Sequence, residues 1–330
     1  MFGRLVRLLL AAVLIPMLFL SGGRGRAEVI TIAYFPGWPG VAQIGWATGL
    51  LEKEMGVAVY WRGFDTGRRI TLAMAVGEVD IAYGLGSVPF TVAVSQGEPL
   101  KAVAVSESYG EAENLVVRDE SGINAPRDLI GRRVAVPFGT TAHYQLLGIL
   151  KMHEIEPSQV ILVNLTADRL VGAFVQGEVD AACAWEPALF RMIQAGGRVI
   201  VPVKEQIEAG YETFGLVAVT EEFARKKPDL VAGFLRALDE STRIYLADKR
   251  EACRLISAKA GLSPEKTEEI MATMEFYGRD EQLSPKWLGT PDRLGDLVGR
   301  IKRTAEFLAS QKMITRALLD YKQFVDPAFW

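Results

Sequence analysis

The chain repeats itself. Gly77-Glu78-Val79-Asp80 returns 100 positions later as Gly177-Glu178-Val179-Asp180. Around the first copy stands Leu72–Phe90, LAMAVGEVDIAYGLGSVPF, and around the second Val171–Phe190, VGAFVQGEVDAACAWEPALF. In each, an apolar helix-like stretch ends at glycine, a natural C-cap, and an acidic turn feeds a short apolar strand. The correspondence continues upstream at nearly the same offset. VITIAYF (Val29–Phe35) matches RVAVPF (Arg133–Phe138), both strand-like by their β-branched and aromatic content. Helical stretches follow at Val41–Glu54 and Thr141–His153, strand-like ones at Val57–Phe64 and Gln159–Leu165, and helices again at Arg68–Val76 and Arg169–Gln176. Each half therefore reads strand–helix–strand–helix–strand, which predicts two α/β lobes with parallel βαβ pairings.

The N-terminus is of another kind. Arg4 and Arg7 precede an apolar run from Leu8 to Leu20, and Gly25-Arg26-Ala27 offers small residues for cleavage. The run falls short of the roughly 20 residues a spanning helix needs. It reads as a cleavable secretory signal over residues 1–27, which places the mature protein in the periplasm. Losing Arg4, Arg7, Arg24 and Arg26 takes the net charge from −3 to −7. A mildly acidic protein without a basic cluster is a poor partner for nucleic acid. The two cysteines, Cys183 and Cys253, make no disulfide framework; they either pair with each other or stay as buried thiols.

About 300 mature residues suit two domains better than one. Two further strand-like pieces, Asn114–Arg118 and Phe214–Thr220, are placed where the chain passes between the lobes, as a two-strand hinge on which a clamshell closes. The expected division is 28–113 plus 214–330 for the first lobe and 114–213 for the second. Phe223, Leu230, Phe234, Leu235 and Leu238 form one apolar helical face, and Ile301, Phe307 and Leu308 another. The tail is read as helices packed on the first lobe.

In open α/β sheets ligands bind beyond the carboxyl ends of the strands. Here those places are Pro36–Gly40, Gly84–Val88, Gly139–Ala142 and Trp185-Glu186-Pro187. Gly86-Ser87 and Thr140-Thr141 set a hydroxyl and free N–H groups at expected helix starts, one in each lobe, an arrangement that favours an anion. Ser87 and Thr140 also qualify as simple N-caps. Tyr34, Trp38, Phe138, Tyr144, Trp185 and Phe214 fall at strand ends or in the same loops, where aromatic faces can hold a cation. Glu113, Glu186 and Glu212, with Asp65 farther off, are the carboxylates placed to pair with one. Anion donors, aromatics and a carboxylate point to a small zwitterionic or anionic organic solute. His143 and His153 share no metal-ligand spacing with the cysteines, and nucleophile-elbow, Walker and dinucleotide motifs are missing. No cofactor, metal or catalytic residue is assigned, and His143 is read as orienting a helix start.

DLIGRRVAVPFGTTAHYQLL, then VNL and QGEVDAACAWEPAL, together with VYWRGFDTG (Val59–Gly67) and LGSVP (Leu85–Pro89), resemble the taurine-binding periplasmic proteins of ATP-driven importers. The resemblance implies a type II binding-protein fold and a ligand such as taurine or another alkanesulfonate. It implies sulfonate contacts at Ser87, Thr140 and Thr141 with Trp185 beside the ligand, and delivery by a monomer to an inner-membrane permease with its ATPase. Val88 and Ala142 stand where the family usually carries further hydroxyls, and Gly215 where an acid is expected for the ligand's amine. An unpaired ammonium in a closed cleft is costly. Either one of the named glutamates takes over, or the ligand is a methylated ammonium caged by Trp38, Tyr34 and Phe214. An enzyme like the thiamin-pyrimidine synthases and a sensory binding protein are the other readings.

Overall fold

In both copies of the repeat the glycine ends a helix and the aspartate clamps a strand. A computed structural model describes residues 28–330; the signal segment read at 1–27 lies outside the described residues. Gly77 and Gly177 each have φ +74°, where a Cβ would be strained. Their N–H groups donate to the Met74 and Phe174 carbonyls at 3.0 and 3.2 Å, closing the preceding helices. Three residues on, Asp80 accepts from the Thr31 N–H at 2.8 Å and Asp180 from the Arg133 N–H at 2.9 Å. Each turn thereby fixes the first strand of its own lobe, and the repeated acids act structurally.

The strands are β1 (Val29–Tyr34), β2 (Ala58–Gly63), β3 (Ile81–Gly86), β4 (Leu100–Ser108), β5 (Glu113–Arg118), β6 (Arg133–Val136), β7 (Ile161–Asn164), β8 (Ala181–Trp185), β9 (Gly197–Val199) and β10 (Phe214–Thr220). They form two sheets, ordered β2-β1-β3-β10-β4 and β7-β6-β8-β5-β9. In each the first three strands pair in parallel, as the repeat predicts. The last two pairings in each are antiparallel, so β10 and β5 run against their neighbours. The chain leaves the first sheet after β4 and enters the second as β5; it returns from the second to the first as β10. This corrects the hinge expected at 114–118 and 214–220. Both strands lie inside sheets, because their backbone groups find ladder partners there. The crossings are the short segments 109–112 and 209–213, tied together by Tyr109 N–H donating to the Thr213 carbonyl at 3.1 Å. Strands β4 and β9 were not foreseen.

Helices α1 (Ala42–Thr48), α2 (Leu50–Met55), α3 (Gly67–Ala75) and α4 (Ser87–Ser95) cover the first sheet. Helices α5 (Thr141–Met152), α6 (Ala167–Val175), α7 (Ala188–Gln194) and α8 (Val203–Glu208) accompany the second. The tail adds α9 (Glu221–Lys226), α10 (Pro228–Ala247), α11 (Lys249–Ala260), α12 (Pro264–Met271), α13 (Arg279–Gln282) and α14 (Leu297–Ser310). It packs on the first lobe, as its apolar faces indicate. Phe234, Leu238 and Ile256 share a core with Ile32, Ile44 and Leu51. Trp287, Leu308 and Tyr321 share another with Phe90 and Val94. The tail also covers the exposed edge of β4. Gln282 bonds both backbone groups of Val105, and Trp330 Nε1 donates to the Val103 carbonyl at 2.8 Å.

Cys183 and Cys253 are both buried, free thiols. No helix among the described residues is long and apolar enough to cross a membrane.

Candidate functional site

The carboxyl ends of the two sheets face one another across a cavity of about 50 Å³. From the first lobe come Phe35 and Trp38 after β1, Gly84 and Gly86 at the end of β3, Pro89 in the first turn of α4, and Thr66-Gly67 at the start of α3. Tyr109 comes from the crossing, Glu113 from the start of β5, Thr140 and Thr141 from the start of α5, and Trp185 from the end of β8. The cavity adjoins a groove of about 1080 Å³ between the lobes, and Phe35, Thr66, Thr140 and Trp185 line both. Asp65 stands in that outer groove, paired with Arg69 at 3.1 Å.

Two helices begin at the cavity. Gly86 precedes α4 with no side chain capping the helix. A Cβ on Gly86 would come within 3.1 Å of Thr141 Cγ2, so glycine lets the lobes approach closely here. Thr140 caps α5: its hydroxyl accepts from the His143 N–H at 3.3 Å and donates to the Pro137 carbonyl at 2.7 Å. What these starts offer a ligand is therefore chiefly backbone N–H, which the first turn of a helix leaves unpaired, with the positive end of the helix dipole. His143 stacks on Phe138 at 4.5 Å, and its Nδ1 accepts from the Gly139 N–H at 3.3 Å. Burial pushes its pKa down to about 4, so the ring is neutral near pH 7 and shapes the loop. The cavity lining contains neither Lys nor Arg.

Carboxylates flank the crossing on both sides. Glu113, at the start of β5, is 1% exposed; one oxygen accepts from the Thr141 hydroxyl at 2.6 Å and the other has no hydrogen-bond partner. Glu107, near the end of β4, is fully buried; Oε1 accepts from Trp38 Nε1 at 3.1 Å and Oε2 is likewise unpartnered. Burial pushes both acids up to about 7, against the lowering effect of Ser106 and Trp38 on one and of Thr141 and Thr213 on the other.

Of the residues singled out from sequence, Trp38, Gly86, Glu113, Thr140, Thr141 and Trp185 meet at the cavity. The others stand apart. Tyr34 joins an aromatic cluster with Trp46 and Trp61, at 5.3 and 5.7 Å between ring centres. Tyr144 packs between Tyr211 and Phe307, and Phe214 lies against Trp287. Ser87 is buried as the first residue of α4, outside the lining. Glu186 accepts from the Phe190 N–H at 3.3 Å and lies 3.8 Å from Lys266; Glu212 pairs with Arg300. These side chains are held by core packing or ion pairs, and the expected cage of Trp38, Tyr34 and Phe214 is not assembled. The aromatic wall is Phe35, Trp38, Tyr109 and Trp185. Sequence reading missed Phe35, Tyr109 and Glu107. The signal for Glu107 was Gly215 itself, its direct partner across the β10–β4 pairing.

Residues 53–252 match the family model described as NMT1/THI5 like. The taurine-binding periplasmic protein of Escherichia coli is 32% identical over 93% of this chain and 94% of its own length. The chain belongs to the taurine- and sulfonate-binding periplasmic protein family. The fold of that family is seen in the periplasmic aliphatic sulphonate binding protein SsuA of Escherichia coli, with a TM-score of 0.72 at 22% identity over 88% of this chain and 95% of the other. The desulfurization enzyme DszB also shares the architecture, with a TM-score of 0.65 at 18% identity over 92% and 97%. The architecture thus serves both binding proteins and an enzyme. Neither Cys183 nor Cys253 lines the cavity of this chain.

Proposed function

We propose that the protein is the periplasmic solute-binding component of an ABC importer. It captures taurine or a similar small aminosulfonate between its lobes and presents it, as a monomer, to a membrane permease and its ATPase. The observation that carries this reading is the chemistry of the cavity. The N-termini of α4 and α5 meet there with the buried carboxyl of Glu113, which accepts from the Thr141 hydroxyl, and Glu107 lies behind Trp38. An anionic head and a cationic tail on one small molecule satisfy both. In this reading residues 28–113 with 214–330 form one jaw and 114–213 the other, and the segments 109–112 and 209–213 flex. Export follows from the signal read at the N-terminus and from the periplasmic relatives. The cavity lining carries one glutamate and one tyrosine, Glu113 and Tyr109, as its titratable groups.

Thermal unfolding against a series of solutes tests it. Taurine and other small sulfonates should raise the midpoint in a concentration-dependent way, since a ligand that binds only the folded state stabilises it by mass action. Stabilisation by choline or betaine with none by taurine would replace this ligand class by quaternary ammonium solutes.

A further inference from the structure

Gly215 is a place where a side chain has been given up to make room for another. In the antiparallel β10–β4 pairing its Cα partner is Glu107. A Cβ built on Gly215 would overlap Glu107 Oε1 and Ser106 Oγ. Glycine is therefore required by the carboxylate beside it, since its backbone lies outside the left-handed region. That carboxylate adjoins the cavity wall at several points. Trp38 Nε1 donates to it, and a Cβ on Gly84 would meet its Oε1 at 3.7 Å. Tyr109 feels the charges of both Glu107 and Glu113, so both acids lie near one cavity-lining ring. Each acid keeps one oxygen without a hydrogen-bond partner although both are buried. Buried carboxylates are ordinarily paired, because an isolated charge out of water is expensive.

We propose that Glu107, seated in the space that Gly215 leaves, is the specificity-determining residue for the ligand's ammonium group, acting together with Glu113. This rests on the aminosulfonate reading above and sharpens it. The carboxylate expected on β10 is supplied by the neighbouring strand, so Gly215 marks a relocated acid. The ligand class follows: a short sulfonate bearing a protonated nitrogen with N–H donors for two acceptors. An alkylsulfonate without nitrogen would leave both acids unmatched in the closed cleft.

The test compares taurine with ethanesulfonate, which has the same chain and sulfonate but no amine. Wild-type protein should favour taurine by about tenfold or more, as expected for charge-assisted hydrogen bonds made out of water. Glu107→Gln should bring that ratio down about tenfold, and the double variant Glu107→Ala/Gly215→Asp should restore much of it by returning the acid to β10. Equal wild-type affinity for the two ligands, or an unchanged ratio in Glu107→Gln, overturns the assignment while leaving a sulfonate-binding cleft intact. If Glu107→Gln does not fold, the wild-type ratio and the double variant decide it. Failure of the wild-type protein to bind either sulfonate overturns the functional reading and this inference with it.

Discussion

Glu107 and Glu113 make the unliganded protein sensitive to pH in a direction that can be worked out. Burial raises both acids to about 7 from an ordinary value of 4.5. The unfolded chain therefore releases these protons at a lower pH than the folded one does. As pH rises from about 4.5 to 7 the folded state holds more protons than the unfolded state, so stability falls. The phenols facing them, Tyr83 and Tyr109, and the thiol of Cys183 are themselves pushed up by burial and stay neutral in this window. Chemical denaturation of ligand-free protein between pH 5 and 8 should show lower stability at the alkaline end, and Glu107→Gln and Glu113→Gln should each flatten the slope. A slope unchanged in both variants would mean that neither acid is perturbed. At this scale the sequence was only partly informative. Thr140, Thr141 and Trp185 could be found because the threonines follow Gly139 at a helix start and Trp185 ends a strand. Glu107 could not, because its role depends on a neighbour 108 positions later in the chain, reached only through sheet pairing.

At the scale of elements, the duplicated turn was legible in full. Gly77 and Gly177 demand a left-handed backbone, and Asp80 and Asp180 each hold the start of a strand, so the same letters give the same joint. The parallel core of each sheet followed from that order. The antiparallel additions did not. LKAVAVSES carries no breaker and ends in polar residues that are nonetheless buried, and β9 is three residues long. The crossing was misplaced for a related reason: apolar strands such as FGLVAVT belong in a sheet interior, and the links are the short segments beside them. Helix α5 offers a check on the division between structural and ligand-facing groups. Thr140 caps it through its side chain, so Thr140→Ala should lower the stability of the unliganded protein by about 1 kcal/mol. That is a fall of roughly 2 °C in melting temperature for a chain of this size. No fall would show that the cap contributes nothing and that the hydroxyl is free for the ligand.

At the scale of the whole molecule, the lobes touch well beyond the cavity. Lys266 of α12 reaches across to Glu186 and covers the Phe190 ring, and Phe307 of α14 packs on Tyr144 and Tyr211. These contacts join the helical tail of the first lobe to the second. With Gly86 against Thr141 they bring the lobes together at several places, which suits a clamshell that excludes water as it shuts. Exclusion of water in turn strengthens the interaction of the buried acids with an entering cation. The central claim is that the cleft takes a small aminosulfonate whose ammonium ionises the glutamate pair. Calorimetric titration of taurine into ligand-free protein at pH 7, in two buffers of different ionisation enthalpy, tests it directly. Saturation at one taurine per chain is expected, with proton release seen as a buffer-dependent heat, because the bound cation lowers the acids' pKa. Absence of binding, or binding with no proton exchanged, would contradict it.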